Sequence, residues 1–164
     1  MTTLTHFSAG LVVGAIAQRY LPNSYLHGQT VYAISILASQ LPDVNVFWKP
    51  LKTHHDDLTH YPIFWVGMSA LTAIVEYVLH KTPTIGFIIF ISTILHMFLD
   101  TFGWSIGLRW LAPFSMHEFS FTPLEKDKVD FDNRAKLQSL FRHISFKYEI
   151  LVNLLFWCLF LALK

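Results

Sequence analysis

Between Thr84 and Leu99 the chain carries no charged side chain; Ile, Phe and Leu dominate, interrupted by two threonines, a serine, a glycine and His96. At about 1.5 Å per residue, a helix continuing to Trp104 would cross the roughly 30 Å hydrocarbon core of a bilayer. The remaining apolar residues also fall in blocks, with the charge pushed between them. With 53% hydrophobic and 14% charged residues over 164 positions, the chain departs far from the balance of soluble domains.

A second span is expected from Tyr61 to Leu79, where Glu76 is the one acid and Pro62 falls in the first turn, a place where its missing N–H costs nothing. Three weaker runs are Phe7 to Tyr20, Thr30 to Trp48 and Ile150 to Leu163. Pro42 and Asp43 should stop regular helix near Leu41 in the middle one, leaving a segment that crosses only a thinned or wetted bilayer. The expected fold class is an all-α polytopic transmembrane bundle of about four or five helices. One or two of them being only partly immersed is the alternative.

The chain reads as a single membrane-embedded helical domain: a core over 5–113, a polar segment over 114–148 and a hydrophobic helix over 149–164. Within the polar segment Leu137, Leu140, Phe141 and Ile144 recur at helical spacing, flanked by Arg134, Lys136, Arg142 and Lys147. That pattern fits an interfacial amphipathic helix on an anionic leaflet, or equally a soluble helix packed on its neighbours.

A net charge of +1 offers no phosphate-neutralising face, so nucleic acid is not an expected partner; membrane lipid is. The one cysteine, Cys158, excludes an internal disulfide. The opening MTTLTHFSAG lacks the cationic stretch and cleavage site of a secretory signal, so Met1 to His6 are expected in the mature protein. With five spans, nine of the 12 basic residues fall on the side of the N-terminus, Lys49 and Lys52 among them, and only Arg19, Lys81 and Lys164 fall on the other. The positive-inside rule then puts the N-terminus of this multi-pass chain in the cytoplasm.

That same side gathers His6, Asp43, His55, His60, His96 and Asp100, which are distant in sequence but all sit at helix ends facing it. His96 and Asp100, four apart, project from one helix face and can grip one ion or bridge two. An acid and an imidazole near the end of an uncharged span are costly unless paired, hydrated or metal-bound. Alone, His96 reads as a satisfied core histidine, HHDDLTHYP as a solvated loop with His54, Asp56 and Asp57 exposed, Asp43 as a turn residue and His6 as part of a tail. Their shared side argues for a site binding one or two divalent ions, zinc first among them.

The segments THFSAG, LPDVN, HHDDLTH and HMFLD resemble the YdjM-like family of inner-membrane metal-dependent hydrolases, over roughly Thr5 to Pro113. The family pattern has an N-terminal histidine, a Leu-Pro-Asp-x-Asp element, a His-x4-His element ending in Thr-His-Ser, and a His-x3-Asp element followed by glycine and proline. His6, Asp43, His55 with His60, and His96 with Asp100 match in order, and Gly103 or Gly107 with Pro113 would complete the last element. Asn45 stands in place of the second aspartate and Tyr61 in place of the serine. Asn45 can still coordinate, but without charge.

The ligand order is also distantly similar to zinc-dependent phospholipase C, although His117 and His143 lack the partner that a further zinc pair would need. The family resemblance implies a hydrolase, and the expected reaction is hydrolysis of an ester or phosphoester, such as a lipid head group, at the cytoplasmic membrane surface, with Asp43, where the metal leaves it free, orienting or deprotonating the attacking water. A non-enzymatic protein that binds, senses or transports metal is the alternative, for which Glu76 and His80 would mark a path towards the far side. A structural metal staple is a third reading.

Overall fold

The computed structural model describes residues 1–21, 25–50, 53–102, 106–124 and 143–164. Five α-helices account for most of them: α1 (Thr3–Tyr20), α2 (Gly28–Gln40), α3 (Pro62–His80), α4 (Thr84–Asp100) and α5 (Ile144–Leu163). Short 3₁₀ segments span Leu41–Phe47, His54–Asp56 and Leu58–His60. There is no strand among the described residues, only an isolated antiparallel bridge between Leu108 and Phe119. The all-α class expected from the apolar blocks is what forms.

Helices α1, α2 and α4 pack on one another and make the centre, with α3 against the outer side of α4 and α5 against α1. Small residues make the close approaches possible. A Cβ added at Gly10 would lie 2.8 Å from the Ile36 Cα, and one added at Gly86 would lie 2.5 Å from the backbone nitrogen of Ala73. Where lipid solvates side chains as well as protein does, helices associate through such backbone proximity and through polar groups. Val13, Ala17, Val31 and Ile88 form one buried apolar cluster, and Trp65, Met97 and Leu108 a second beneath the loops.

Several helix limits differ from the sequence reading. Regular helix in the second run does stop near Leu41, as Pro42 dictates. The fourth does not reach Trp104 but ends at Asp100. The Thr101 carbonyl instead accepts from the Phe121 N–H at 2.8 Å and the Ser120 hydroxyl at 3.0 Å, which turns the chain out of the helical ladder. At 17 residues α4 is about 25 Å long, short for the roughly 30 Å core.

The last helix is longer than its apolar run suggested. It begins at Ile144, where the His143 ring caps it by accepting from the Ser145 N–H at 3.2 Å. Helices α3 and α5 are the two long and apolar enough to cross a membrane unaided, and α4 is a shorter apolar helix. Both present rows of exposed Leu, Ile and Val, including Leu71, Ile74 and Val78 on α3 and Leu151, Leu154 and Leu155 on α5. The expected amphipathic helix around Leu137, Leu140 and Phe141 lies outside the described residues, except for Ile144.

Glu76 lies buried in α3, and its role is visible from its partners. One carboxylate oxygen accepts from the N–H groups of Ile85 and Gly86, at 2.7 and 3.2 Å, and the other from the Tyr25 hydroxyl at 3.2 Å. It therefore satisfies first-turn donors of α4 that have no partner within their own helix. His80 stacks on Tyr25 and is exposed. Glu76→Gln should lower the thermal stability of detergent-purified protein by about 1 to 3 kcal/mol, because an amide offers one acceptor where the carboxylate offers two. Metal flux into reconstituted vesicles should be unchanged by that substitution; a loss of flux would revive the transport reading.

Candidate metal centre

Pro42 connects the end of α2 to the chemistry of the cluster. It has no N–H with which to bond the Ser39 carbonyl in the 3₁₀ register, and this carbonyl instead accepts from His96 Nδ1 at 2.7 Å. His96 is thereby fixed with its Nε2 directed away from α2, 2.9 Å from Asp100 Oδ2 and 3.5 Å from Asp43 Oδ1. His55 is held the same way, with Nδ1 donating to the Gly107 carbonyl at 3.2 Å and Nε2 lying 3.6 Å from Asp100 Oδ2. Such outer hydrogen bonds keep the proton on Nδ1 and make Nε2 the nitrogen that can take a metal.

His6, near the start of α1, stacks on the His96 ring with centroids 3.7 Å apart and brings Nε2 to 3.1 Å from Asp100 Oδ1. The Met1 amino group contacts the same oxygen. His60 Nε2 lies 3.3 Å from Asp43 Oδ1 and 3.8 Å from Asp100 Oδ2. All six residues singled out in the sequence therefore meet around the Asp43 and Asp100 carboxylates.

The set can take a cation. Asp43, His60, His96 and Asp100 form one group whose ligand atoms lie within 4.8 Å of one another, and His54, His55 and His60 form another. The buried atoms His6 Nε2, His60 Nε2, His96 Nε2 and Asp100 Oδ2 have no hydrogen-bond partner, although each lies close to an atom of opposite character. Buried polar atoms are seldom left so, and a shared ion would satisfy them. Asp43 is the open edge, with 20% of its side chain exposed while His6, His60 and His96 are fully covered.

Burial makes charge on the His60 ring costly and lowers its pKa to about 3, against the opposing pull of Asp43. Burial alone would raise the Asp43 pKa. The nearness of His96, then of His60, outweighs it and holds the carboxyl well below the usual range. The loop thus offers a neutral imidazole and an anionic carboxylate at neutral pH.

The loop residues expected to be exposed have partners. His54 Nε2 reaches to 3.8 Å from Asp43 Oδ1, Asp56 pairs with Arg109 at 3.0 Å, and Asp57 pairs with Lys49 at 3.1 Å. His54 is the cluster member that sequence reasoning left out; its adjacency to His55 was the available signal. Asn45 is fully buried but turns its amide nitrogen to the His54 carbonyl and to His60 Nδ1, rather than to the carboxylates. His117 is exposed and His143 caps α5, so neither joins the cluster. Gly107 holds His55, and Gly103 lies outside the described residues.

An all-helical bundle with apolar outer helices and a buried histidine and aspartate cluster at one end defines a membrane protein with a candidate metal centre. The chain belongs to the YdjM inner membrane protein family, whose family model matches residues 1–164. No curated protein and no solved structure matches it.

Proposed function

We propose that this chain is a multi-pass hydrolase of the inner membrane, cleaving an ester or phosphoester at the cytoplasmic surface with one or two divalent ions, zinc the first expectation. The observation that carries this reading is the convergence of Asp43, His96 and Asp100, with His6 and His55 alongside, around buried atoms that lack hydrogen bonds. These residues would hold the ion. When bound, it would polarise the scissile group and lower the pKa of a coordinated water.

The chain's own groups divide the remaining work. Ser39 and Gly107 fix the His96 and His55 rings, and Asp43, the anionic edge, would orient the attacking water. A lipid head group suits the location, since Phe47, Trp48 and Leu58 are exposed beside that edge. The N-terminus inside is supported by nine of 12 basic residues falling on the side of the cluster in a five-span topology. Transport is less favoured, because Glu76 is engaged in capping α4.

Zinc-saturated Asp43→Asn should hydrolyse the probe bis(4-nitrophenyl) phosphate about 10² to 10⁴ times more slowly than the parent protein. Zinc-dependent hydrolysis absent from the parent, with both this probe and a nitrophenyl ester, would end the catalytic reading. Chelation that unfolds the bundle, in place of inactivating it folded, would assign the ion a structural role.

A further inference from the structure

Asn45 sits behind His60, and its amide has one orientation open to it. Its nitrogen Nδ2 faces the main-chain carbonyl of His54, a group that can only accept, so this atom is the amino end of the amide. The same nitrogen lies 3.4 Å from His60 Nδ1, and both residues are fully buried. An amide NH₂ donates, so Nδ1 accepts and the proton of the neutral ring resides on Nε2.

His55 and His96 have the opposite arrangement. Each gives its Nδ1 proton to a main-chain carbonyl, Gly107 or Ser39, so that Nε2 is the nitrogen each can offer to an ion. His60 presents an N–H there instead, nearest to Asp43 Oδ1 at 3.3 Å.

We propose that Asn45 is a positioning residue that keeps His60 in the Nε2–H form, so that His60 steadies Asp43 rather than ligating and the cluster holds a single ion. Both ligand groups include His60. With its Nε2 lone pair withdrawn, Asp43, His96 and Asp100 remain as one site, while His54 and His55 lose their third member. An aspartate at position 45 could only accept. It would draw the His60 proton to Nδ1 and release Nε2 as a ligand. The ion count rests on the metal centre proposed above; the tautomer does not.

The test uses the full chain in detergent, with ¹⁵N-labelled histidine, long-range ¹H–¹⁵N NMR of the ring tautomers, and zinc counted by mass spectrometry. The parent protein should show His60 as Nε2–H and bind about one zinc per chain. Asn45→Asp should show Nδ1–H, a zinc count rising towards two, and affinity higher by roughly 10- to 100-fold, the range of outer-shell effects.

An Nδ1–H signal for His60 in the parent, or two zinc ions per parent chain, would overturn the proposal. Should Asn45→Asp fail to fold, His60→Gln decides, since its amide restores a donor near Nε2. Zinc binding within about tenfold of the parent supports positioning, and complete loss of zinc makes His60 a ligand and overturns it. An Nε2–H signal in a parent that binds no zinc would support the tautomer assignment and sink the metal-dependent hydrolase alone.

Discussion

Protein in which His96 and Asp100 are both changed to alanine should purify without bound zinc under conditions where the parent retains it. Asp100 is the carboxylate that His6, His55, His60 and His96 all approach, and His96 is the imidazole nearest to it while also lying 3.5 Å from Asp43. If a zinc site of about four groups is worth on the order of 10 to 16 kcal/mol, losing two of them forfeits roughly 5 kcal/mol or more, a several-thousand-fold weakening. Metal analysis after dialysis against a weak chelator reads this directly. Full metal content in the double variant would dispose of the site.

Gly10→Val should empty the same site from a distance. Gly10 lies one helical turn from His6 on the same face of α1, and a Cβ there would meet Ser39 Oγ at 2.7 Å, the Ile36 Cα at 2.8 Å and the Ser35 carbonyl at 3.0 Å. Two of these are backbone atoms, so α1 and α2 must separate. Overpacking of this kind costs about 1 to 3 kcal/mol and more when backbone has to move. The separation would pull His6 from the His96 ring on which it stacks, and His96 is held by Ser39 on the α2 side. A lowered melting temperature with loss of zinc is the expected pair of results. A variant with parent-like stability and zinc content would show that the close approach at Gly10 is not what holds the cluster together.

The six cluster residues could be read in advance because alternating helices in a bundle send every second end to the same side. His6, Asp43, His55, His60, His96 and Asp100 all lie at such ends, and that needs only helix order. What sequence could not supply was the behaviour of individual hydrogen-bonding groups. Nothing in the residues after Asp100 says that the Thr101 carbonyl will be taken by Ser120 and Phe121, so the end of α4 at Asp100 is not legible in the sequence.

The apolar run legible in the sequence starts at Ile150, just after Glu149, and a carboxylate inside a membrane helix is costly unless partnered. In the structure the Glu149 carboxylate accepts from the Thr2 and Thr5 side chains and the Thr2 N–H, and α5 runs past it to begin at Ile144. The part played by Asn45 depends on which way a buried amide faces, a fact of three-dimensional packing that residue identity does not encode.

The hydrogen bonds that Glu149 makes to α1 also govern how the last helix is moored. Most of its surface is open Leu, Ile and Trp, which acyl chains solvate as readily as α1 does, so greasy contact alone cannot choose its height or rotation. Glu149 with Thr5, and Asn153 with Thr5 at 2.7 Å and Ser8 at 2.8 Å, act as teeth at successive turns. A slip by one turn would strand several of them at once in hydrocarbon, so the helix has a single notch in which to rest.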